Sequence, residues 1–240
     1  MSDEQDLLDV GFTEIRRKMI ENIDRIPNQI ARRKGVFAHF NFEGSYPPLF
    51  WCFNNWAEAA FLAHWLGPDR PLYAMQSFHG LENDRSVKEM YKNYVAEHYA
   101  NLVLDVHPKG PIFIGGNCQS APIAESMAHC LMDRTATPPM LITLEHLPFY
   151  CYPGCLVMLF GRSEYNPFLK EGSPISGWFK KHKSPSWGFI DAGHGEYFRE
   201  PAIHELVWYI KTVMDMWIGE GIKPREEIRL DKVSSLKSGK

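Results

Sequence analysis

The sequence has no long apolar run, no strong excess of one charge and no paired arrangement of cysteines. No stretch reaches the roughly 18–20 apolar residues that a bilayer-spanning helix needs. The net charge of −3 and the pI of about 6.4 argue against nucleic-acid binding by bulk electrostatics. The start, Met-Ser-Asp-Glu-Gln-Asp, is acidic and lacks the apolar segment of a secretion signal.

The cysteines give little sign of a disulfide framework or a metal site. There are five of them, an odd number: Cys52, Cys118, Cys130, Cys151 and Cys155. An odd set in a large chain is typical of reduced thiols, so we expect a cytoplasmic protein. The pair in Cys151-Tyr-Pro-Gly-Cys155 has no second cysteine or histidine pair at ligand spacing, and we expect no metal.

What the sequence does contain is an alternation of strand and helix patterns in 240 residues, of which 45% are hydrophobic. Apolar runs predict strands at 36–40, 49–53, 72–75, 112–114, 140–144, 156–160 and 187–190. Apolar residues at helical spacing predict helices at 13–26, 57–66, 86–104, 118–132 and 203–217. This order predicts an α/β domain over 36–220, with a mostly parallel sheet covered on both faces. Residues 1–35 are predicted to form a helical extension and 221–240 a polar tail.

The segment Gly116-Asn117-Cys118-Gln119-Ser120 has the outline of the G-x-S-x-G nucleophile elbow of hydrolases. A cysteine stands in the nucleophile position, with small residues two places to either side. A predicted strand enters the segment and a predicted helix leaves it, as the strained turn of an elbow requires. The helix N-terminus favours the thiolate of Cys118. The alternative is a small buried cysteine that happens to follow a turn.

A base and an acid are expected later in the chain. His194 lies between two glycines in the loop after the predicted strand 187–190, where it can accept the thiol proton. Glu145 ends the strand 140–144 and is the favoured acid, while Glu164, after 156–160, is the alternative.

Two backbone N–H groups are expected to stabilise the oxyanion. Gln119 provides one because it follows the nucleophile. The second is predicted in the loop after the strand 49–53, from Trp56, with Asn55 as the alternative.

Together these segments resemble the thioesterase family of the α/β-hydrolase superfamily, which releases chains from polyketide and nonribosomal peptide synthetases. The likeness extends from about residue 47 to residue 217. The segments that carry it occur in the family's order: Pro48-Leu-Phe-Trp-Cys-Phe53, Leu66-Gly-Pro-Asp-Arg-Pro-Leu-Tyr73, Ser86-Val-Lys-Glu-Met90, Gly110-Pro-Ile-Phe-Ile-Gly-Gly116, Met140-Leu-Ile-Thr-Leu-Glu145, Gly193-His194 and Arg199-Glu-Pro201.

The chain departs from the family in four places. Cysteine replaces the usual serine, glutamate replaces aspartate, and Asn54-Asn55-Trp56 replaces a glycine-bearing oxyanion loop. Residues 146–186 are too few for the family's helical lid, so the site is expected to be open or covered by another part of the protein, for which residues 1–35 are a candidate.

The resemblance implies an acyl thioester substrate, held on the phosphopantetheine arm of an acyl or peptidyl carrier protein or on CoA, with no other cofactor. Three functions stay open: a thioesterase, a non-hydrolytic acyltransferase or cyclase that uses Cys118, and a non-catalytic binding protein. Two basic segments, 32–34 and 179–183, are candidates for docking an acidic carrier. Aromatic residues near strand ends are candidates for an acyl pocket: Trp51, Phe53, Trp56, Phe149, Tyr150 and Tyr152.

Overall fold

The computed structural model describes residues 2–163, 175–219 and 228. Its strands are β1 Ala31–Lys34, β2 Phe37–Phe40, β3 Leu49–Phe53, β4 Leu72–Gln76, β5 Phe113–Asn117, β6 Met140–Leu144, β7 Cys155–Gly161 and β8 Ser184–Ile190. Its helices are α1 Ser2–Asp24, α2 Trp56–Leu66, α3 Arg85–Val106, α4 Ala121–Leu131, α5 Ile175–Lys181 and α6 Ala202–Ile218. A 3₁₀ turn, Cys118–Ser120, joins β5 to α4.

All eight strands form one sheet in the order β1-β2-β4-β3-β5-β6-β7-β8. The strands from β4 to β8 in that order pair in parallel, while β1 and β2 form an antiparallel hairpin at one edge. The predicted α/β class with a mostly parallel sheet is therefore confirmed. Because parallel strands all run the same way, their carboxyl ends lie together on one side of the sheet, above the strand ends, where ligand sites of such folds form.

The central strands are buried on both faces, as their continuous apolar runs predicted. On one face the sheet packs against α2 and α6, and on the other against α1, α3 and α4. The strands β5 and β6 lie between these two layers.

Three elements differ from the sequence prediction. The strand β1, Ala31–Lys34, was not predicted, because only Ala31 is buried and its other residues are basic and exposed. The predicted domain boundary at residue 35 falls inside the β1–β2 hairpin. The helix α1 starts much earlier than residue 13, and the short helix α5 was not predicted.

The helix α1 packs against α3, and its Asn22 side chain donates to the Gln76 side chain at the carboxyl end of β4 at 3.2 Å. Met19 is buried there, and the Tyr99 hydroxyl lies 3.3 Å from its sulfur. The expectation that residues 1–35 cover the site is not met, because no described residue of that segment lines the Cys118 cavity.

The connection between β6 and β7, residues 145–154, contains no helix. This agrees with the expected reduction of the lid, although residues 164–174 lie outside the described part of the chain. Most of the predicted tail, 221–240, also lies outside it, and only Ile228 is described, with its N–H donating to the Trp187 carbonyl at 2.8 Å. None of the described helices has the length and apolar character needed to cross a bilayer.

Candidate active site

Cys118 lies at a sharp turn between β5 and α4, with a backbone φ of 50°. This left-handed conformation is costly for a residue with a side chain and is typical of functional sites. It is the geometry that the nucleophile elbow requires. The predicted elbow is therefore present in the structure, with Cys118 half-buried at its apex.

Small neighbours allow this turn. A Cβ on Gly116 would lie 2.9 Å from both the Ala121 Cα and the Ala124 Cβ, so α4 approaches the strand closely only because this residue is glycine. Ser120, in place of the usual second glycine, is fully buried. Its hydroxyl accepts the Asn117 N–H at 2.9 Å and contacts the Cys52 carbonyl, which ties the turn to β3.

His194 and Glu145 form a hydrogen-bonded pair beside the elbow. The Nδ1 of His194 lies 2.7 Å from Oε2 of Glu145. The imidazole is 58% exposed while the carboxylate is only 4% exposed, so the acid is fixed in the protein and the base reaches the cavity. Glu145 also has a left-handed backbone, with φ of 56°, where β6 ends. The favoured acid of the sequence prediction thus contacts the predicted histidine.

Tyr197 holds the other oxygen of this carboxylate. Its buried hydroxyl donates to Oε1 of Glu145 at 2.7 Å. A buried carboxylate needs such donors, because removing it from water is otherwise costly. The two bonds fix the orientation of Glu145 and, through it, of the His194 ring.

The sulfur of Cys118, a carboxylate oxygen of Glu145 and a ring nitrogen of His194 all lie within 4.8 Å of one another. The same three atom types bind transition metals such as Zn²⁺. In the described residues, this is the one cluster of three such groups that could hold an ion. The distances also fit a nucleophile, a base and an orienting acid.

The three residues line a cavity of about 160 Å³ at the carboxyl ends of the strands. Its remaining lining comes from the last residue of β5, the first turn of α2 and the segments that follow β3, β4, β5 and β8: Asn54, Asn55, Glu58, His79, Asn117, Gln119, Gly195, Tyr197 and Phe198. Sequence reasoning had not assigned a role to Glu58, His79, Asn117 or Tyr197. Only Tyr197 gave a usable signal, because it lies in the same loop as His194.

Gln119, the predicted oxyanion donor, directly follows Cys118 and lines the same cavity. For the second donor, Asn55 lines the cavity, whereas Trp56 is absent from the described lining and packs against the core beneath α2.

A second carboxylate, Glu58, lies on this side of the cavity. Its Oε2 accepts the Asn54 backbone N–H at 3.1 Å and the Asn117 Nδ2 at 3.2 Å, and its Oε1 accepts the Asn55 Nδ2 at 2.9 Å. Burial raises the pKa of Glu58, although hydrogen bonds from the Asn117 side chain and from the backbone N–H groups of Asn54 and Asn55 oppose the shift. Glu58 therefore engages the donors at the start of α2 that face this side of the cavity.

The pKa of the Cys118 thiol is raised, not lowered as the helix N-terminus predicted. Burial is the largest cause, and the negative charges of Glu145 and Glu58 add to it. The hydrogen bond from the Gln119 N–H opposes the shift but does not reverse it. The resting sulfur is a thiol at neutral pH, so it needs a base to become a nucleophile.

The other predicted site features are dispersed. Glu164 lies outside the described residues, and Glu145 occupies the position beside His194. The two basic segments lie at opposite edges of the sheet, in β1 and around α5, seven strand spacings or roughly 30 Å apart. They do not form one docking surface. Of the six aromatic candidates, only Phe149 lines a described cavity.

No family model and no curated protein matches this chain. Several solved structures have a similar fold. The NocB thioesterase domain of the nocardicin cluster has 15% identity and a TM-score of 0.59, covering 75% of this chain and 98% of its own. SrfTE, the thioesterase domain that cyclises the lipopeptide antibiotic surfactin, has 11% identity and a TM-score of 0.52, covering 73% and 94%. The RedJ thioesterase of the prodiginine pathway in Streptomyces coelicolor has 11% identity and a TM-score of 0.50, covering 70% and 88%.

These likenesses establish the class of the fold, which is the α/β-hydrolase fold. Within that class, the matched structures are thioesterase domains, as the sequence resemblance predicted. At such low identity the match describes the fold alone. The chemistry of this chain has to be argued from its own residues.

Proposed function

We propose that this protein cleaves acyl thioesters through an acyl-enzyme on Cys118, with His194 as base and acid and Glu145 as the orienting carboxylate. The observation that carries the proposal is the left-handed elbow at Cys118, which lies within 4.8 Å of the hydrogen-bonded His194–Glu145 pair. A buried structural cysteine requires neither the strained turn nor the adjacent pair. The substrate is an acyl group on a phosphopantetheine arm, of a carrier protein or of CoA.

In the first step, His194 removes the proton of the Cys118 thiol and the sulfur attacks the thioester carbonyl. Glu145 accepts the Nδ1–H of the ring, so Nε2 is the basic nitrogen. The oxyanion that forms is stabilised by the Gln119 N–H and by a second donor from the loop after β3. When the intermediate collapses, the carbon–sulfur bond to the pantetheine breaks, and the imidazolium gives its proton to the leaving thiolate.

In the second step, water attacks the Cys118 thioester and transfers a proton to His194. The new intermediate expels the Cys118 sulfur, which recovers its proton from the imidazolium, and the free acid leaves. Because exchange between two thioesters is nearly thermoneutral, the acyl-enzyme keeps the reactivity of the substrate. An amine or another nucleophile in place of water gives acyl transfer or cyclisation by the same steps.

The fate of the acyl group separates the remaining functions. The protein is incubated with an acyl-pantetheine, with and without an added amine, and the released thiol, free acid and amide are quantified against a Cys118→Ala control. Free acid formed without amine supports a thioesterase. Thiol release that requires the amine supports a transferase. If wild-type protein and the Cys118→Ala variant release thiol equally slowly with several acyl groups, the catalytic proposal is wrong and a binding protein is left.

A further inference from the structure

A second and larger cavity, of about 480 Å³, adjoins the Cys118 cavity. His79 and Gln119 line both cavities, so a ligand in the larger cavity can extend into the Cys118 cavity. The larger cavity lies between the first turns of α3 and α4. The mechanism proposed above gives it no role.

One wall of this cavity is basic. Arg85, Lys88 and Lys92 line it, at positions i, i+3 and i+7 of α3, which share one helix face. Lys92 pairs with Glu89 at 3.1 Å, and Glu89 is the cavity's single carboxylate within the described lining. Among the ion pairs formed by described residues, none engages Arg85 or Lys88. The cavity is therefore lined by two positive charges that have no ion-pair partner among the described residues.

The acidic residues just before α3 do not neutralise these cations. Glu82 accepts the backbone N–H groups of Asn83 and Asp84, and Asp84 accepts the Ser86 N–H as the cap of the helix. Both carboxylates thus serve the backbone of the turn. Neither belongs to the described lining of the cavity.

The opposite wall is apolar and is held in place. Phe149, which is 63% exposed, lines the cavity together with Phe78, Pro122 and Ile123. The buried carboxylate of Glu125 fixes the Phe149 segment by accepting the Phe149 N–H at 3.1 Å and the Tyr150 N–H at 2.8 Å. His146 lies 2.9 Å from the same carboxylate. An exposed aromatic ring on an anchored loop is a surface that a ligand would cover.

From this arrangement we infer that the cavity between α3 and α4 binds the anionic group of the thioester ligand, through Arg85 and Lys88, with the apolar part of the ligand along Phe149. The inference rests on the proposed function, because Cys118 is where the ligand ends. The anionic group has two possible sources: the phosphate of the pantetheine arm, or a carboxylate on the acyl chain.

Binding measurements on the full-length Cys118→Ala variant test this without turnover. Calorimetry compares three ligands: S-butyryl-phosphopantetheine, S-butyryl-pantetheine and S-glutaryl-pantetheine. We expect one anionic ligand to bind about tenfold or more tightly than butyryl-pantetheine. Adding Arg85→Ala and Lys88→Ala should remove that preference and leave the affinity for butyryl-pantetheine within about twofold. Raising the salt concentration should weaken the preference in the parent variant.

Lys109→Ala is the matched control, because Lys109 is an exposed cation that precedes β5, at the opposite end of the strand from Cys118. This control should keep the full preference. Tighter binding of the phosphorylated ligand assigns the cavity to the pantetheine phosphate, and tighter binding of the glutaryl ligand assigns it to the acyl carboxylate. Equal affinity for all three, or a preference that survives loss of Arg85 and Lys88, overturns the inference. Since none of these outcomes depends on catalysis, failure of the proposed function would be seen separately, in the thiol-release assay.

Discussion

The two sides of the Cys118 cavity differ in how their polar groups are used. On one side, Tyr197, Glu145 and His194 form a chain of short hydrogen bonds that ends at an exposed imidazole. On the other side, the Glu58 carboxylate accepts hydrogen bonds from Asn54, Asn55 and Asn117. In the proposed mechanism, the first side moves the proton. On the second side, the donors bind the protein's own Glu58 carboxylate, in the place where a hydrolase usually offers N–H groups to its substrate.

Because of this difference, substitutions on the two sides of the cavity should have different effects. The proton-transfer side places its base beside a thiol with a raised pKa, so activity should depend strongly on His194. The Glu58 side keeps a negative charge near the sulfur and engages the donors of its own loop. We therefore expect substitutions on the first side to lower the activity strongly. A substitution of Glu58 on the second side should have a smaller effect and should make the thiol more reactive.

The largest effect is expected from Cys118→Ala, which removes the atom that forms the acyl-enzyme. Loss of a nucleophile that acts as a unit with its base costs on the order of 10⁴-fold or more in kcat. Steady-state release of pantetheine thiol measures this loss. A variant that keeps more than about a tenth of the activity would contradict a covalent role for the sulfur.

His194→Gln should cost about 10²- to 10⁴-fold in kcat, because general base catalysis contributes that much. The resting sulfur is a thiol, so no preformed thiolate compensates for the lost base. A pH–rate profile of the variant should show activity that rises into the alkaline range. Retention of near-normal kcat at pH 7 would mean that Cys118 ionises without His194.

Tyr197→Phe should lower kcat by about threefold to tenfold, since it removes one hydrogen bond to the buried Glu145 carboxylate. Tyr197 is a positioning residue, so KM should change little. Tyr152→Phe is the matched control, because it also deletes a buried hydroxyl, one that donates to the Pro139 carbonyl at 2.6 Å away from the site. Both variants should lose comparable thermal stability. Equal effects of both on kcat would refute the positioning role.

The smallest effect is expected from Glu58→Gln, measured as the rate of Cys118 alkylation by iodoacetamide. Only the thiolate reacts, and a raised pKa means that the rate keeps rising above about pH 8.5, the ordinary pKa of a cysteine. Removing the Glu58 charge lowers the thiol pKa, so the whole curve should move to lower pH and the rate at pH 8 should rise a few fold. A plateau below pH 7 in the wild-type protein would instead indicate a thiolate–imidazolium pair.

The proton-transfer side was predictable from the sequence, and the Glu58 side was not. Cys118, Glu145 and His194 each follow a recognisable strand, and the carboxyl ends of parallel strands meet at one edge of the sheet. Glu58 contacts Asn117 across 59 residues of chain, and nothing in a helix that begins Asn55-Trp-Ala-Glu58 shows that contact. The direction of the thiol pKa shift was missed for a related reason, since its largest cause, burial, and the nearby charges of Glu145 and Glu58 arise only on folding.

The edge of the sheet was harder to predict than its centre. A central strand such as β6 is buried throughout and has a continuous apolar run, whereas β1 contributes one buried residue and carries Arg32, Arg33 and Lys34. Basic side chains are common on edge strands, where they discourage pairing with other chains. In the sequence, this pattern looks the same as a charged loop.

The most direct measurement of the central claim is the mass of the protein within seconds of mixing with an acyl-pantetheine, followed by peptide mapping. Transfer of the acyl group to Cys118 predicts an increase equal to one acyl group less one hydrogen, located on the peptide that contains residue 118. The adduct should form much more slowly in His194→Gln and decay as free acid appears. No adduct during active turnover, or an acyl group on any other residue, would contradict the account.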